Sequence, residues 1–421
     1  MFKYCILLVF AFFVTISQAQ SANETHVETI QDSVKKNLFV KGLANGYIPT
    51  KYFNFDLRYL IKYNQYEGVR TGLGGITNDT FSEKVRINSY TVYGFRDDMF
   101  KFSVGSSFKL NEKTNTWMTL SYTDDLQETG STKFLTDKRI FQFFEPRLLN
   151  IDLFHRHITK SIAFEHRISN NLNAETEFSE SYIKPTYNYG YVTKNGVLNT
   201  FNLSIAKFAL QWSPFKSFKV SETATKDNDY PLITLQYSKS FNDVLKSDLS
   251  FSKVDFRTIH KIGKKDGNLS EITLVGGIAS GNIPLTHLYH AYPNNIRKET
   301  IMQRFSVAGT NSFETMFFNE FFSDKFATFQ FKHYLKPFYV TARYKPQMVL
   351  ITRYAIGDTK EPKRHQNVTF GSLKKGYTES GFEINKLIFG FGLSFTYRYG
   401  AYHLSEFGDN VAFKFTFNLT L

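Results

Sequence analysis

The chain has 421 residues, among them 45 Phe and 25 Tyr but only 2 Trp and 1 Cys. Its formal charge is +13, spread along the chain with no long basic block, so it does not mark a nucleic-acid-binding segment and reads mainly as lumen and loop charge. Mean hydropathy is below zero, and after Ala19 no stretch approaches the roughly 18 apolar residues of a membrane-crossing helix, which excludes a helical membrane protein.

Export is written at the N-terminus. Lys3 supplies a positive start, CILLVFAFFVTI (Cys5 to Ile16) an apolar run, and Ser17 and Ala19 the small residues of a cleavage site. This predicts a secretory signal peptide over 1–19, cleaved after Ala19. The run is too short for a span, which needs about 20 apolar residues; an uncleaved anchor is the competing reading. Cys5 sits inside the apolar run, not at the cleavage point, which argues against lipidation. The exported chain then has no cysteine, hence no disulfide and no thiolate ligand or nucleophile. A closed barrel supplies stability another way, because every strand edge is paired.

Residues 20–50 are polar and predict a short periplasmic leader or plug. From 51 to 421 one pattern repeats: an alternating segment, a short turn, another alternating segment, a longer polar stretch. Tyr66–Thr77 and Lys84–Phe95 read as strands. After a turn at Arg96-Asp97-Asp98-Met99, Phe100–Leu110 puts Phe100, Phe102, Val104, Phe108 and Leu110 on one face. Lys101, Ser103, Gly105, Ser107 and Lys109 take the other, because strand side chains alternate with period 2. Asn111–Thr116 is turn chemistry, and Trp117–Leu126 returns. Further strands are expected near 158–168, 176–189, 198–212, 231–240, 246–258, 270–280, 325–334, 337–344, 347–356 and 378–387, with others at Tyr52–Tyr63 and 140–154. The polar stretches Gly357–Gly376 and Leu285–Glu299 read as extracellular loops.

The C-terminal end carries the clearest ladder. Phe389, Phe391, Leu393, Phe395, Tyr397 and Tyr399 share one face, opposite Thr396 and Arg398. Val411, Phe413, Phe415, Phe417, Leu419 and Leu421 share one face of the last strand, opposite Lys414, Thr416 and Asn418. The apolar sets are predicted to face lipid and the polar sets the lumen. Strands of about 11 residues match a tilted membrane crossing. The expected fold is an all-β transmembrane antiparallel barrel of about 16 strands, in the range 14–16, an even number being usual for bacterial barrels.

YEGVRTGLGGITND (66–79), YTVYGFRDDMFKFSVGSSFKL (90–110), WMTLSYTDDLQETG (117–130), YPLITLQYSKSF (230–241), SGNIPLTHLYHAYPNN (280–295) and FFSDKFATFQFKHYL (321–335) follow in an order that resembles a Bacteroidota outer-membrane barrel family of unknown function. That barrel usually stands behind a carboxypeptidase-regulatory-like domain, and it is similar to the surface-antigen barrels of BamA- and TamA-type assembly factors. The chain departs from both: the regulatory-like domain is missing, there is no room for POTRA domains, and no VRGF-like loop motif occurs. The resemblance implies the barrel without fixing its activity.

Several motifs have the look of chemistry. FFEPRLLNIDL (143–153) and EHRISNN (165–171) are similar to the EPQ stretch and the His-x-Ser-Asn-Gly strand of outer-membrane phospholipase A. There the histidine must reach the serine hydroxyl as general base. His166 and Ser169 are three apart and face opposite ways on a regular strand, unless a bulge intervenes, and Asn171 replaces the glycine. His155-x-His157 and His287-x-x-His290 have ligand-like spacing but no third ligand nearby, and a metal site needs at least three. Asp97-Asp98 and Asp124-Asp125 read as turn and strand-end acids. Gly72, Gly74, Gly75, Gly390 and Gly392 read as close strand approach, kinking or room for a plug in the lumen. No P-loop, GxSxG or HExxH occurs. The expectation is therefore a non-enzymatic barrel of the cell outer membrane, without catalytic residues, cofactor or metal. Its expected role is transport or envelope assembly, with a structural partner subunit as the alternative. Its expected partners are outer-membrane lipid, lipopolysaccharide and other envelope proteins, not nucleic acid.

Overall fold

The chain divides into two units, Met1–Leu43 and Ala44–Leu421; the second is described below. The computed structural model describes residues 42–43, 45–137, 146–149, 151–215, 230–264, 267–296, 307–341, 344–388 and 390–417. The predicted signal peptide and most of the leader lie outside the described residues, as do Phe389, Asn418, Leu419 and Leu421.

Strands β1 (Tyr47–Pro49), β2 (Phe53–Asp56) and β3 (Ile61–Asn64) open the fold. They are followed by β4 (Gly68–Thr77), β5 (Val85–Gly94), β6 (Met99–Asn111), β7 (Thr116–Glu128), β8 (Phe154–Ser169) and β9 (Leu172–Pro185). A small hairpin, β10 (Gly190–Thr193) and β11 (Gly196–Leu198), precedes β12 (Phe201–Trp212), β13 (Leu232–Phe241), β14 (Phe251–Gly263) and β15 (Leu269–Gly281). Then come the short β16 (Pro293–Asn295) and β17 (Phe313–Phe317), β18 (Lys325–Tyr334), β19 (Gln347–Asp358), the two-residue β20 (His365–Gln366), β21 (Tyr377–Ile388), β22 (Phe391–Tyr399) and β23 (Val411–Phe417). All but β10, β11, β16, β17 and β20 belong to one 18-stranded antiparallel sheet. β1 already pairs with β2, so the sheet begins ahead of residue 51. β2 and β3 both pair with β4 and are two halves of one interrupted strand. No described helix is long and apolar enough to cross a membrane.

The interruption has a local cause. Leu57–Tyr59 forms a single 3-10 turn, capped by the Asp56 carboxylate, which accepts from Arg58 N at 3.0 Å. The turn lays the Tyr59 ring on Tyr90, with ring centres 4.2 Å apart, over Gly74. A Cβ at Gly74 would stand 2.5 Å from atoms of both tyrosines, so only glycine fits there.

The sheet is inside-out relative to a soluble protein. Phe391 and Phe413 are 51% and 58% exposed, whereas Arg398 and Lys414, on the opposite face of the same two strands, are 1% and 3% exposed. Thr396 and Thr416 lie on that buried face as well, and Leu393, Phe395, Tyr397, Tyr399, Val411, Phe415 and Phe417 on the outward one. Burying a charge is costly unless it is paired, so the inward face must find partners, and it does so on segments folded against it.

The connections differ between the two ends of the strands. At one end lie most of the long ones: 129–153, 186–200, 282–324, 359–376 and 400–410. The opposite end carries tight turns such as 112–115 and 170–171 but also the longer connections 213–231 and 335–346, together with the start of β2 and the last described residues of β23. Two sequence expectations are corrected. The described residues of 337–344, which are 337–341 and 344, are not in a strand but in the connection between β18 and β19: Pro337 and Pro346 lack the N–H a ladder needs, and Val340 N donates to Tyr344 O. Of 140–154, Pro146–Leu149 is a 3-10 turn, and β8 begins only at Phe154.

Candidate functional site

The site is the inward face of the sheet, covered by two re-entrant connections. The first runs between β7 and β8. Gly130 N donates to Thr286 O at 3.3 Å, and Leu135 N to the Gln236 side chain on β13 at 2.9 Å. Arg257 on β14 pairs with Asp137 and lies over the Phe134 ring at 4.4 Å. On the return, Arg147 pairs with Glu128 at the end of β7 and donates Nε to Pro293 O at 3.1 Å. The first re-entrant segment is thereby tied to the second.

The second connection, 282–324, corrects another expectation. The described part of Leu285–Glu299, read as an extracellular loop, is buried against the sheet. Its backbone and side chains meet inward-facing polar groups from distant strands, and no single-strand pattern could disclose that. Lys253 Nζ on β14 donates to His287 O at 3.0 Å. Tyr289 OH donates to Asp255 at 2.6 Å, and its ring stacks on Phe326 with centres 4.5 Å apart. His290 Nε2 meets Glu128 Oε1 at 2.8 Å. Leu285, Leu288, Tyr289 and Phe322 join Leu203, Phe251 and Tyr189 in one apolar cluster.

Farther along, β17 carries the strongest anchorage. The Glu379 carboxylate on β21 accepts Glu314 N at 2.9 Å, Thr315 N at 3.0 Å and Thr315 Oγ1 at 2.6 Å. Arg353 on β19, with no exposed surface, pairs with the same carboxylate at 2.8 Å. Glu314 pairs with Lys414 on β23 at 2.9 Å, and Lys414 also donates to Asn294 O. Burial alone would raise the Glu314 carboxyl, but Lys414 and Arg353 beside it hold it below the ordinary carboxylate range. Arg398 on β22 pairs with Glu320 at 2.7 Å. Finally, Val307 bridges Phe415 in parallel, and Ala308 N donates to Phe415 O at 2.7 Å, so the segment also grips the last strand.

A cap lies above this filling. β10 pairs with β11 on one side and with β20 on the other, through Tyr191 with His365 and Gly190 with Gln366. Tyr189 OH accepts Leu285 N at 2.9 Å, so its own proton goes to His365 Nδ1, 2.9 Å away. Burial, then the neighbouring Arg364, pushes His365 down to about 4, which keeps it a neutral acceptor.

The pair weighed for lipid hydrolysis lies elsewhere, at the short-turn end of β8. A bulge does fall between Arg167 and Ser169. His166 Nδ1 nevertheless meets Thr116 Oγ1 at 2.8 Å, and Ser169 Oγ donates to Asn171 at 2.7 Å. His155 turns to Thr129, His157 to Thr159 and His287 to Thr286. Among the described residues no group of three or more His, Cys, Asp or Glu could hold a metal. The Glu379, Arg353, Glu314 and Lys414 cluster was not singled out from sequence apart from Lys414. Its one signal is an acid or base at an inward position of an otherwise small-residue strand face.

The decisive match is to a protein-family model over residues 38–341, described as the C-terminal domain of a family of unknown function, DUF5686. The chain belongs to this family. Its fold is that of the BamA barrel: BamA from Haemophilus ducreyi lacking POTRA domains 1-3 superposes with a TM-score of 0.52 at 10% identity, over 84% of this chain and 68% of that one. CdiB from Acinetobacter baumannii superposes with a TM-score of 0.43 at 10% identity, over 84% of this chain and 57% of that one, a likeness too low to argue from. No curated protein matches the chain. For the DUF5686 family, then, this member presents a BamA-like antiparallel sheet with a filled interior.

Proposed function

We propose that this is a non-enzymatic outer-membrane barrel that serves envelope assembly with its lumen closed. The observation that carries the reading is the double filling of the interior, fastened by ion pairs to β7, β14, β22 and β23 and by hydrogen bonds to the Glu379 carboxylate on β21. In this reading the chain is exported by its cleaved signal peptide, and the first and last strands meet to close the sheet. Phe391, Leu393, Phe395, Tyr397, Tyr399, Val411, Phe413, Phe415 and Phe417 face lipid; Thr396, Arg398, Lys414 and Thr416 face the lumen. Solute flow would require both re-entrant segments to leave together.

In planar bilayers the purified protein is expected to give no steady current; a stable open conductance from the unmodified chain would overturn the closed-lumen reading. Depleting the protein is expected to lower the abundance of other outer-membrane barrels, and unchanged levels would remove the assembly role. Purified protein is expected to hydrolyse no phospholipid; activity lost in His166→Ala would make it an enzyme instead. A structural partner subunit is the second reading, favoured by the β18–β19 turn. There Phe338, Tyr339 and Val340 are exposed side by side at the short-turn end, and contiguous apolar exposure of this kind marks interaction sites.

A further inference from the structure

The outward face is apolar along most strands, yet on β7–β9 it carries cations. Arg156 and Lys160 on β8 and Lys184 on β9 point outward, as their register with the exposed Leu120, Phe178 and Tyr182 shows. Asp124 and Glu180 stand among them. Arg156 gives Nε and Nη2 to Asp124 at 2.7 and 2.6 Å. Lys160 is 3.5 Å from Glu180 and its side chain is 66% exposed. Lys184 is directly opposite Arg156 in the β8–β9 ladder, is exposed, and has no ion-pair partner among the described residues.

Two features of this patch call for an anion. Like charges directly opposite on neighbouring strands repel, and while Asp124 offsets Arg156, no described acid pairs with Lys184. A cation on the lipid side of a barrel is also costly at mid-bilayer and almost free near the interface. β7, β8 and β9 have 13, 16 and 14 residues, longer than the roughly 9–11 that a tilted crossing needs. Their ends therefore overrun the hydrocarbon, and Arg156 and Lys184 lie within two residues of the ends that carry the long connections. Barrels keep short turns on the periplasmic side and longer loops outside; most of the long connections, though not 213–231, lie at the end that carries Arg156 and Lys184, and that majority puts the patch at the outer leaflet.

We propose that Arg156, Lys184 and Lys160 bind the phosphate of an outer-leaflet glycolipid. Arg156 and Lys184 clasp the phosphate oxygens through charge-assisted hydrogen bonds, and Lys160 closes the lower side. This rests on the outer-membrane reading above but not on whether the lumen is closed, so the conductance test and the one below fail independently.

The full chain, purified in detergent, would be titrated with phosphorylated lipid A, with dephosphorylated lipid A and with inorganic phosphate. The wild type is expected to bind phosphorylated lipid A about tenfold more tightly than the double variant R156Q/K184Q does, as loss of charge-assisted contacts implies. Lys239→Gln, which removes an outward lysine on β13, is expected to bind like wild type. Dephosphorylated lipid A is expected to bind wild type as weakly as phosphorylated lipid A binds the double variant. Heat-modifiable migration on gels would verify that the variants are folded. Equal affinity in the wild type and a folded double variant would overturn the proposal. Inorganic phosphate binding as tightly as the lipid would also overturn it, by making this a site for the free ion.

Discussion

The wall strands and the segment that fills them obey different rules. On β22 and β23, every second side chain is aromatic or aliphatic and outward, and the rest are small or charged and inward, so each residue's environment follows from its parity. From Phe313 to Phe317 all five residues are buried, with no alternation. Phe313 and Met316 pack in an apolar cluster with Tyr377, while Glu314 and Thr315 bond to Glu379. The wall is held by a repeating ladder that tolerates exchange at many positions. The filling is held at particular points, several of which satisfy a buried charge.

That difference can be broken experimentally. Glu379→Ala is expected to have the largest effect. It strands Arg353 and removes three hydrogen bonds to β17, and removing one partner of a buried pair costs about 3–5 kcal/mol. Limited proteolysis should cut between 307 and 320 in the variant and spare the wild type, while strand content stays unchanged by circular dichroism. If 307–320 stays protected, the anchor is elsewhere. Phe413→Arg probes the wall instead. An outward arginine should cost about 2–4 kcal/mol at mid-bilayer and about 0–1 near an interface, read as a lowered urea midpoint in lipid vesicles with the protease pattern of the filling unchanged.

Acid should loosen the cap next. His365 is held below its unfolded value of 6.5, so its neutral form contributes stability that is complete above pH 6.5. That contribution fades as pH falls toward about 4. A shift of this size corresponds to about 3 kcal/mol. Hydrogen exchange at Gly190–Val192 should quicken across that window, and His365→Asn should flatten the pH dependence. The smallest effect is expected from Ala308→Pro, which deletes one N–H bond to Phe415 at a net cost of about 1 kcal/mol. Faster exchange confined to β23 would register it.

The wall was legible in the sequence because period 2 is a local signal: β18 was expected at 325–334 and lies at Lys325–Tyr334. The same signal misled at 337–344, where FYVTARY alternates but Pro337 and Pro346 flank a tip that has no sheet to join. The filling was not legible. HLYHAYPNN sits in a polar stretch that reads as a loop, and what buries it is a set of inward groups contributed by strands far away in the chain. Glu314 and Glu379 are 65 residues apart, and each is an ordinary single acid until the fold brings them together. The bulge beside Ser169 was likewise invisible, because the extra residue shows only when β8 is laid against β9.

The outward face of β22 and β23 also bears on how the chain behaves while those strands are exposed to water. Phe391, Leu393, Phe395, Phe413, Phe415 and Phe417 alternate with small or polar residues in two adjoining strands that contain no proline. In water such segments pair readily with copies of themselves, since aromatic strands without proline are strong templates for aggregation. Nothing in the folded sheet relieves this; in the outer-membrane reading proposed above, the bilayer is what covers those rings. In that reading the hazard belongs to transit, between export and insertion.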